Sequence, residues 1–331
     1  MSNNFIDLSA LNGLLGFLNP SPSATNVALA PATTSTWKRY EGVTPDCYAL
    51  EITDSEYHTQ CEGASSSTLK KMLRSPAHYK AYINTPNKDS SPRKFGRAVH
   101  ALLLEPHKFD AHFAIWSEGR RAGWKFEDFA EKNPCKTILT EDEFNRATEA
   151  ALALRNNKQF PFGAWLDGLK AKDEHAEVPA ALTEFSIFWT DEETGLLCKA
   201  RVDAHGVVPN PLAMDVKTTD DARTDSYMRQ FFQLDYDLQA AHYRAALKAF
   251  YGVDFPFLHA VVEDQDPHAS NIIGLDPEVI SNGEAKRRDA LNMLKKSRET
   301  DEWPTYGYDK VEVLTMPFYK LYTPKTFLAN N

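Results

Sequence analysis

Asp215 and Lys217, in Leu212-Ala213-Met214-Asp215-Val216-Lys217-Thr218-Thr219, place an acid and an ammonium two residues apart in an otherwise apolar run. Side chains of a strand alternate between faces, so these two emerge side by side while Met214 and Val216 turn inward. A carboxylate able to hold a hard cation, next to a lysine able to orient water or neutralise charge, is the pairing that hydrolysis of a phosphodiester requires.

More acids converge on the same place. Alternation along the preceding strand puts Leu197, Lys199, Arg201 and Asp203 on one face, with Asp203 at the strand end beside Asp215. Glu184, near the start of the strand before that, shares parity with Ser186 and Phe188, and Asp191, Glu192 and Glu193 are nearby alternatives to it. Carboxylates gathered this closely repel unless a divalent cation sits among them. Magnesium is the expected ion, with manganese as a substitute, because the set is rich in oxygen and lacks thiolates. His100 follows Gly96-Arg97-Ala98-Val99 on an apolar helix, while Gln239 and Tyr243 lie one helical turn apart. Taken singly, His100 reads as an ordinary core or surface histidine and the Gln239/Tyr243 couple as a polar pair on a half-exposed helix.

The elements that must position these residues follow from pattern. Ser65 to Leu73 reads as a capped helix with Ser66 or Ser67 as N-cap, ending near Ser75-Pro76. Phe95 to Leu104 is a second helix stopped by Pro106, and the capping box Thr140-Glu141-Asp142-Glu143 opens a third, running to about Asn156. After Pro179 the period changes: Leu182 to Trp189 and Leu196 to Val202 form a hairpin across Asp191-Glu192-Glu193-Thr194-Gly195. The Asp215 strand, a helix from about Asp235 to Tyr251, a strand at Phe257 to Glu263 and a helix near Glu278 to Arg298 complete the order. The expected fold class is α/β, a mixed central β-sheet flanked by helices, with no internal repeats.

Length and composition fit one catalytic domain plus extra sequence: 331 residues, 42% hydrophobic and 25% charged. The expected division is an N-terminal extension and linker over 1–60, a domain over 61–310 and a tail over 311–331. Phe5 to Leu18 is apolar, suited to docking a partner or another subunit, or to fraying or packing on its own domain, and a Pro/Ser/Ala/Thr-rich linker follows it. The net charge of -9 argues against general polyanion binding but leaves room for a positive groove on an enzyme. Four scattered cysteines suggest neither zinc nor disulfides, and no secretory signal or bilayer-length apolar run is present, so a soluble protein of the cytoplasm is expected.

The joint order Gly-x-x-x-His, Glu, Asp, Asp-x-Lys, Gln-x-x-x-Tyr resembles the RecB-like branch of the PD-(D/E)xK nuclease superfamily. Glu193 to Cys198, Arg201-Val202-Asp203, Met214 to Thr219 and Ser75-Pro76-Ala77-His78-Tyr79 look most like the nuclease domain of the exodeoxyribonuclease VIII (RecE) family, over residues 60 to 310. The Pro-Asp pair of the superfamily's name is absent, its place taken by Val202-Asp203.

That resemblance implies a restriction-endonuclease-like core in which Asp203 and Asp215 bind catalytic magnesium and Lys217 positions the attacking water or stabilises the phosphorane. His100 and Glu184 would support a second metal position, and Gln239 and Tyr243 would align the site and contact DNA. It further implies a 5′ to 3′ exonuclease acting on double-stranded DNA ends, of the phage or prophage recombination type, forming a homo-oligomeric ring, with a tetramer expected, and passing single strands to an annealing protein. A Cas4-like relative would need cysteines toward the C-terminus, and none lies beyond Cys198. Arg120, Arg121 and Trp124 combine charge with an aromatic ring in a glycine-flanked loop suited to DNA, and Lys70 and Lys71 beside a helix start suit a 5′-phosphate.

Overall fold

A computed structural model describes residues 37–85, 91–170, 181–207, 210–306, 311 and 313–317. In chain order its elements are β1 (Arg39–Glu41), β2 (Tyr48–Leu50), α1 (Asp54–Thr59), α2 (Ser66–Arg74), α3 (Pro76–Ile83), α4 (Ser91–Leu104), α5 (Phe109–His112), β3 (Phe113–Trp116), α6 (Trp124–Lys132), β4 (Thr137–Thr140) and α7 (Glu141–Arg155). Then come α8 (Phe162–Lys170), β5 (Ala181–Thr190), β6 (Leu197–Gly206), β7 (Leu212–Thr219), α9 (Thr224–Gln233), α10 (Tyr236–Tyr251), β8 (Phe257–Glu263), β9 (Ser270–Gly274) and α11 (Pro277–Thr300).

Seven strands form one mixed sheet in the order β1-β2-β5-β6-β7-β8-β9, antiparallel except for the parallel pair β7/β8. Parallel neighbours need a crossover, and α9 with α10 supplies it. Helices cover both faces. On one, Leu69 and Met72 of α2, Leu238, Leu247 and Phe250 of α10 and Leu291 and Leu294 of α11 pack on Phe185, Ile187, Ala200 and Val202. On the other, Val99 and Leu103 of α4, Ala147 and Leu154 of α7 and Phe162 and Leu166 of α8 pack on Met214, Val216 and Val262. The mixed α/β sheet flanked by helices is the expected class, and no helix among the described residues is long and apolar enough to cross a membrane.

Two sequence expectations need correction. The N-cap of α2 is Ser65, whose side chain accepts from Thr68 N while the Thr68 hydroxyl accepts from Ser65 N; a threonine closes the box where the usual pattern has Glu or Gln. Residues before position 61 also contribute to the sheet, since β2 pairs with β5 as Tyr48↔Phe188, Ala49↔Ile187 and Leu50↔Ser186. Strands of three residues carry no measurable periodicity, which is why β1 and β2 escape a pattern search. The apolar segment at 5–18, the linker that follows it and most of the 311–331 tail lie outside the described residues.

Asp191 fastens the hairpin turn to the last helix. It accepts from Thr194 N at 3.1 Å and Thr194 Oγ1 at 2.8 Å, and takes Arg288 Nη1 at 2.8 Å and Arg287 Nη1 at 3.3 Å. Burial opposes its charge, but these donors hold the carboxyl at about 2, below its ordinary 3.8. Such a depressed acid stabilises the fold fully above about pH 4 and progressively less as the pH falls toward 2. Asp191→Asn should remove that part of the acid sensitivity in urea titrations run from pH 5 to 2, and Asp191→Ala should lower stability at pH 7 by about 3 kcal/mol, because Arg287 and Arg288 lose their shared buried carboxylate and keep only the more exposed Glu284 and Glu193. At Gly283 of α11 an added Cβ would stand 2.1 Å from the Asp237 carbonyl of α10. Gly283→Ala should therefore force the two helices apart at a cost of about 3 kcal/mol or more, read as a lowered Tm.

Candidate metal centre

A fork in the sheet creates the site. The β6/β7 ladder runs through Gly206↔Leu212, His205↔Ala213 and Ala204↔Met214, then ends. At the next position Asp203 Oδ2 accepts from Val216 N at 2.8 Å, taking over from the main chain. Beyond that point β7 stays paired with β8, including Asp215↔His259, while β6 stays paired with β5. The strands diverge with an acid on each side of the opening.

Alternation also breaks here. Cys198, Ala200 and Val202 face the core under α10, yet Ala204, of the same parity, faces the core under α4 and α7. Opposite Asp203 on β5 lies Glu184, whose φ of +51° is the left-handed region that non-glycine residues rarely enter. The pairs Thr183↔Ala204 and Phe185↔Val202 flank these two residues, which do not pair with each other. Arg201 fixes Glu184 by donating Nε to Oε2 at 2.8 Å, and Nη1 of the same arginine reaches Ser186 Oγ at 2.9 Å and Ile52 O at 3.0 Å.

Helix α4 brings His100 into the fork. Its Nε2 donates to Val216 O at 2.9 Å, which leaves Nδ1 3.5 Å from Glu184 Oε1 and 3.6 Å from Asp203 Oδ2. Ligand atoms of His100, Glu184 and Asp203 all lie within 4.8 Å of one another. Two carboxylates and one imidazole suit a divalent cation of the hard to borderline class. The electrostatics agree: burial and the neighbouring Asp215 charge push the Asp203 carboxyl up to about 7, the signature of crowded acids. Burial disfavours the imidazolium of His100, but Asp203 and Glu184 more than offset it and raise the group to about 9.

The expected set of four ligands divides. Asp215 lies apart from the three-residue cluster because its carboxylate turns to the Lys217 ammonium on its own strand face. Burial would raise Asp215, yet Lys217 holds it below its ordinary value, and Asp215 in turn raises Lys217 against the cost of burial. Gln239 Nε2 donates to Asp215 Oδ1 at 2.9 Å, and Lys70 Nζ donates to Gln239 Oε1 at 3.3 Å. The ring of Tyr236 carries both ammoniums, Lys70 and Lys217, each 4.7 Å from its centroid. Tyr243, one turn beyond Gln239, is kept protonated by burial and by the Asp215 and Asp203 charges.

The remaining expected contacts fall in two places. Lys70 and Lys71 occupy the fifth and sixth positions of α2, past the capped first turn, so the reading of them as neighbours of free N–H groups is corrected. Lys70 joins the Gln239 and Asp215 chain, whereas Lys71 lies over the Tyr82 ring at 5.6 Å. Arg120, Arg121 and Trp124 belong to the segment around β3, β4 and α6, where Arg121 pairs with Glu143 and Trp124 is 74% exposed. The alternatives to Glu184 sit at the other end of the hairpin, where Asp191 and Glu193 pair with Arg288. Arg201 shares the Asp203 face as parity expects, but its role in fixing Glu184 is not readable from spacing, and Tyr236, just past the start of α10, carries no sequence signal of its own.

A forked mixed sheet with acids on both tines and a lysine beside one of them defines a PD-(D/E)xK-type domain. The chain belongs to the family of PDDEXK-like domains of unknown function (DUF3799), which matches residues 65–315. No curated protein matches it. It is similar to the crystal structure of a candidate exonuclease from Eubacterium rectale, with a TM-score of 0.51 and 16% identity across 81% of this chain and 96% of the other, a likeness of fold.

Binding of an ion to the folded state alone raises stability by mass action. Manganese or magnesium at about a hundred times its dissociation constant should stabilise the protein by about 2.7 kcal/mol in thermal melts. Asp203→Asn, which keeps an oxygen for Val216 N–H but loses the charge, should melt at the same temperature with and without the ion.

Proposed function

We propose that the chain is a magnesium-dependent exodeoxyribonuclease that degrades one strand of duplex DNA from its end in the 5′ to 3′ direction. The observation that carries the nuclease reading is the clustering of His100, Glu184 and Asp203 beside the Asp215–Lys217 pair at one fork of the sheet. The likeness of four sequence segments to the exodeoxyribonuclease VIII family supports the substrate and polarity, and the name of the Eubacterium rectale protein, an exonuclease, favours end-dependent action.

A divalent ion held by Asp203, Glu184 and His100 would supply Lewis acidity toward water and the departing oxygen. The chain's own residues do the rest. Lys217 presents a full positive charge, because Asp215 beside it keeps the ammonium protonated. Placed against a phosphodiester, that charge meets the extra negative charge of in-line attack. Gln239 holds Asp215 in place, and Lys70 fixes the orientation of the Gln239 amide by occupying its oxygen. Tyr243 remains a phenol able to donate to a phosphate oxygen.

On this reading the protein works as a homo-oligomeric ring, a tetramer, and delivers its single-stranded product to an annealing protein, as its resemblance suggests. Linear duplex labelled at either end, incubated with magnesium, tests the central claim. Label should leave the 5′ end first, covalently closed circles should stay intact, and Asp215→Ala should slow release by about a thousandfold, on the order of 4 kcal/mol. Efficient cutting of circles, or first release from the 3′ end, would overturn it.

A further inference from the structure

An open groove of about 350 Å³ lies between α4, α6 and β4, lined by Lys94, Arg121 and Lys136 together with Phe126, Thr137 and Ile138. Three cations converging on one groove stand out on a chain of net charge -9. Arg97 adds a fourth at the rim, where its Nη2 donates to Thr137 Oγ1 at 2.8 Å. The acid nearby, Glu143, is taken by Arg121, whose Nη2 also donates to Ile138 O at 3.0 Å, so that guanidinium is fixed in the groove wall. Lys94 and Lys136 hold no ion pair among the described residues. Trp124 stands between Arg121 and Phe126 in the chain and is 74% exposed. Among the described residues no ring stacks on this indole, so its face is open to a ligand.

Helix α4 joins this groove to the metal centre. Lys94, Arg97 and His100 succeed one another at intervals of three residues, so the groove lysine and the candidate ligand are separated by about 9 Å along the helix axis. That is about two to three nucleotides of a strand at about 3.4 Å each. The Arg120 and Arg121 loop, the α6 start and β4 were not otherwise tied to the site.

Resting on the nuclease reading above, we infer that this groove binds a single-stranded segment of the DNA next to the scissile phosphate, with Lys94 and Lys136 on successive phosphates, Arg121 held by Glu143 in the groove wall, and Trp124 stacked on an unpaired base. Cations alone would serve duplex equally well; the exposed indole selects an unpaired base, because only an unstacked base offers it a free face.

The test separates the groove from the chemistry. Binding of fluorescein-labelled dT12 to the full chain is measured in EDTA, so that no hydrolysis intervenes, across a range of salt. Lys94→Ala/Lys136→Ala should weaken binding at least tenfold and make the log–log salt slope shallower by about 1.4, two phosphates at about 0.7 each. Trp124→Ala should weaken it roughly five- to 150-fold with little change in slope, as loss of one stacked base requires. Lys94→Arg/Lys136→Arg should retain the affinity. Hydrolysis of bis(p-nitrophenyl) phosphate with manganese, a substrate too small to reach the groove, should be the same in all four proteins. Unchanged dT12 binding in both alanine variants would overturn the groove while leaving the nuclease reading intact. Equal displacement of dT12 by polyglutamate at matched charge would also overturn it, pointing to an acidic protein partner instead. Absence of diester hydrolysis in the wild type would count against the nuclease reading alone, since the binding arm is read without metal.

Discussion

Everything at the site depends on one hydrogen bond being made by the wrong kind of acceptor. Where β6 and β7 should continue exchanging main-chain hydrogen bonds, Val216 N–H goes to the Asp203 carboxylate instead. This substitution satisfies a buried donor without closing the ladder, so the strands can part while no backbone group is orphaned. The opening admits His100 from one face of the sheet, and the Asp215–Lys217 pair borders it from the other. An uninterrupted ladder would put the same acids on a closed surface and leave no room for a phosphate between them.

The neighbours of the fork are arranged to hold charge rather than to cancel it. Arg201 restrains Glu184 and Lys217 restrains Asp215, while Asp203, buried and beside the Asp215 charge, is the weakest acid of the three even with the His100 ring 3.6 Å away. The left-handed backbone at Glu184 belongs to the same design. Strain of this kind persists only where surrounding contacts over-determine it, and here the intact register on both sides of Glu184 and the Arg201 contacts supply that support. Farther out, Lys70 and Gln239 tie α2 and α10 to the carboxylate of β7, so the position of two helices is coupled to the orientation of one acid.

Much of this was legible in the sequence because it rests on period. The hairpin, the Asp215 strand, Phe257–Glu263 and the long helices each present enough residues for alternation or helical spacing to show, and Asp215 and Lys217 share a face as alternation demands. What escaped had a physical reason. β1, β2, β3 and β4 are three or four residues long, and β9, Ser-Asn-Ile-Ile-Gly, is an edge strand of mixed polarity. The reversal of faces at Asp203 lies outside any rule of strict alternation, and it is what moves Asp203 toward His100. The separation of Asp215 from the other three expected ligands depends on a competition for its carboxylate, which spacing alone does not resolve. The place of Lys70 beside Gln239 depends on α2 packing near α10, a tertiary contact that local pattern does not carry.

The short strand β2 carries a consequence for anyone shortening this protein. It covers the outer edge of β5, a ten-residue strand whose Phe185, Ile187 and Trp189 already supply one core. Trimming the chain to the span that the family shares would strip that cover and leave a long row of bare peptide groups at the rim. Such a rim is a template for adding strands from other molecules, so a fragment begun at residue 65 would carry the His100, Glu184 and Asp203 cluster and still be lost to aggregates.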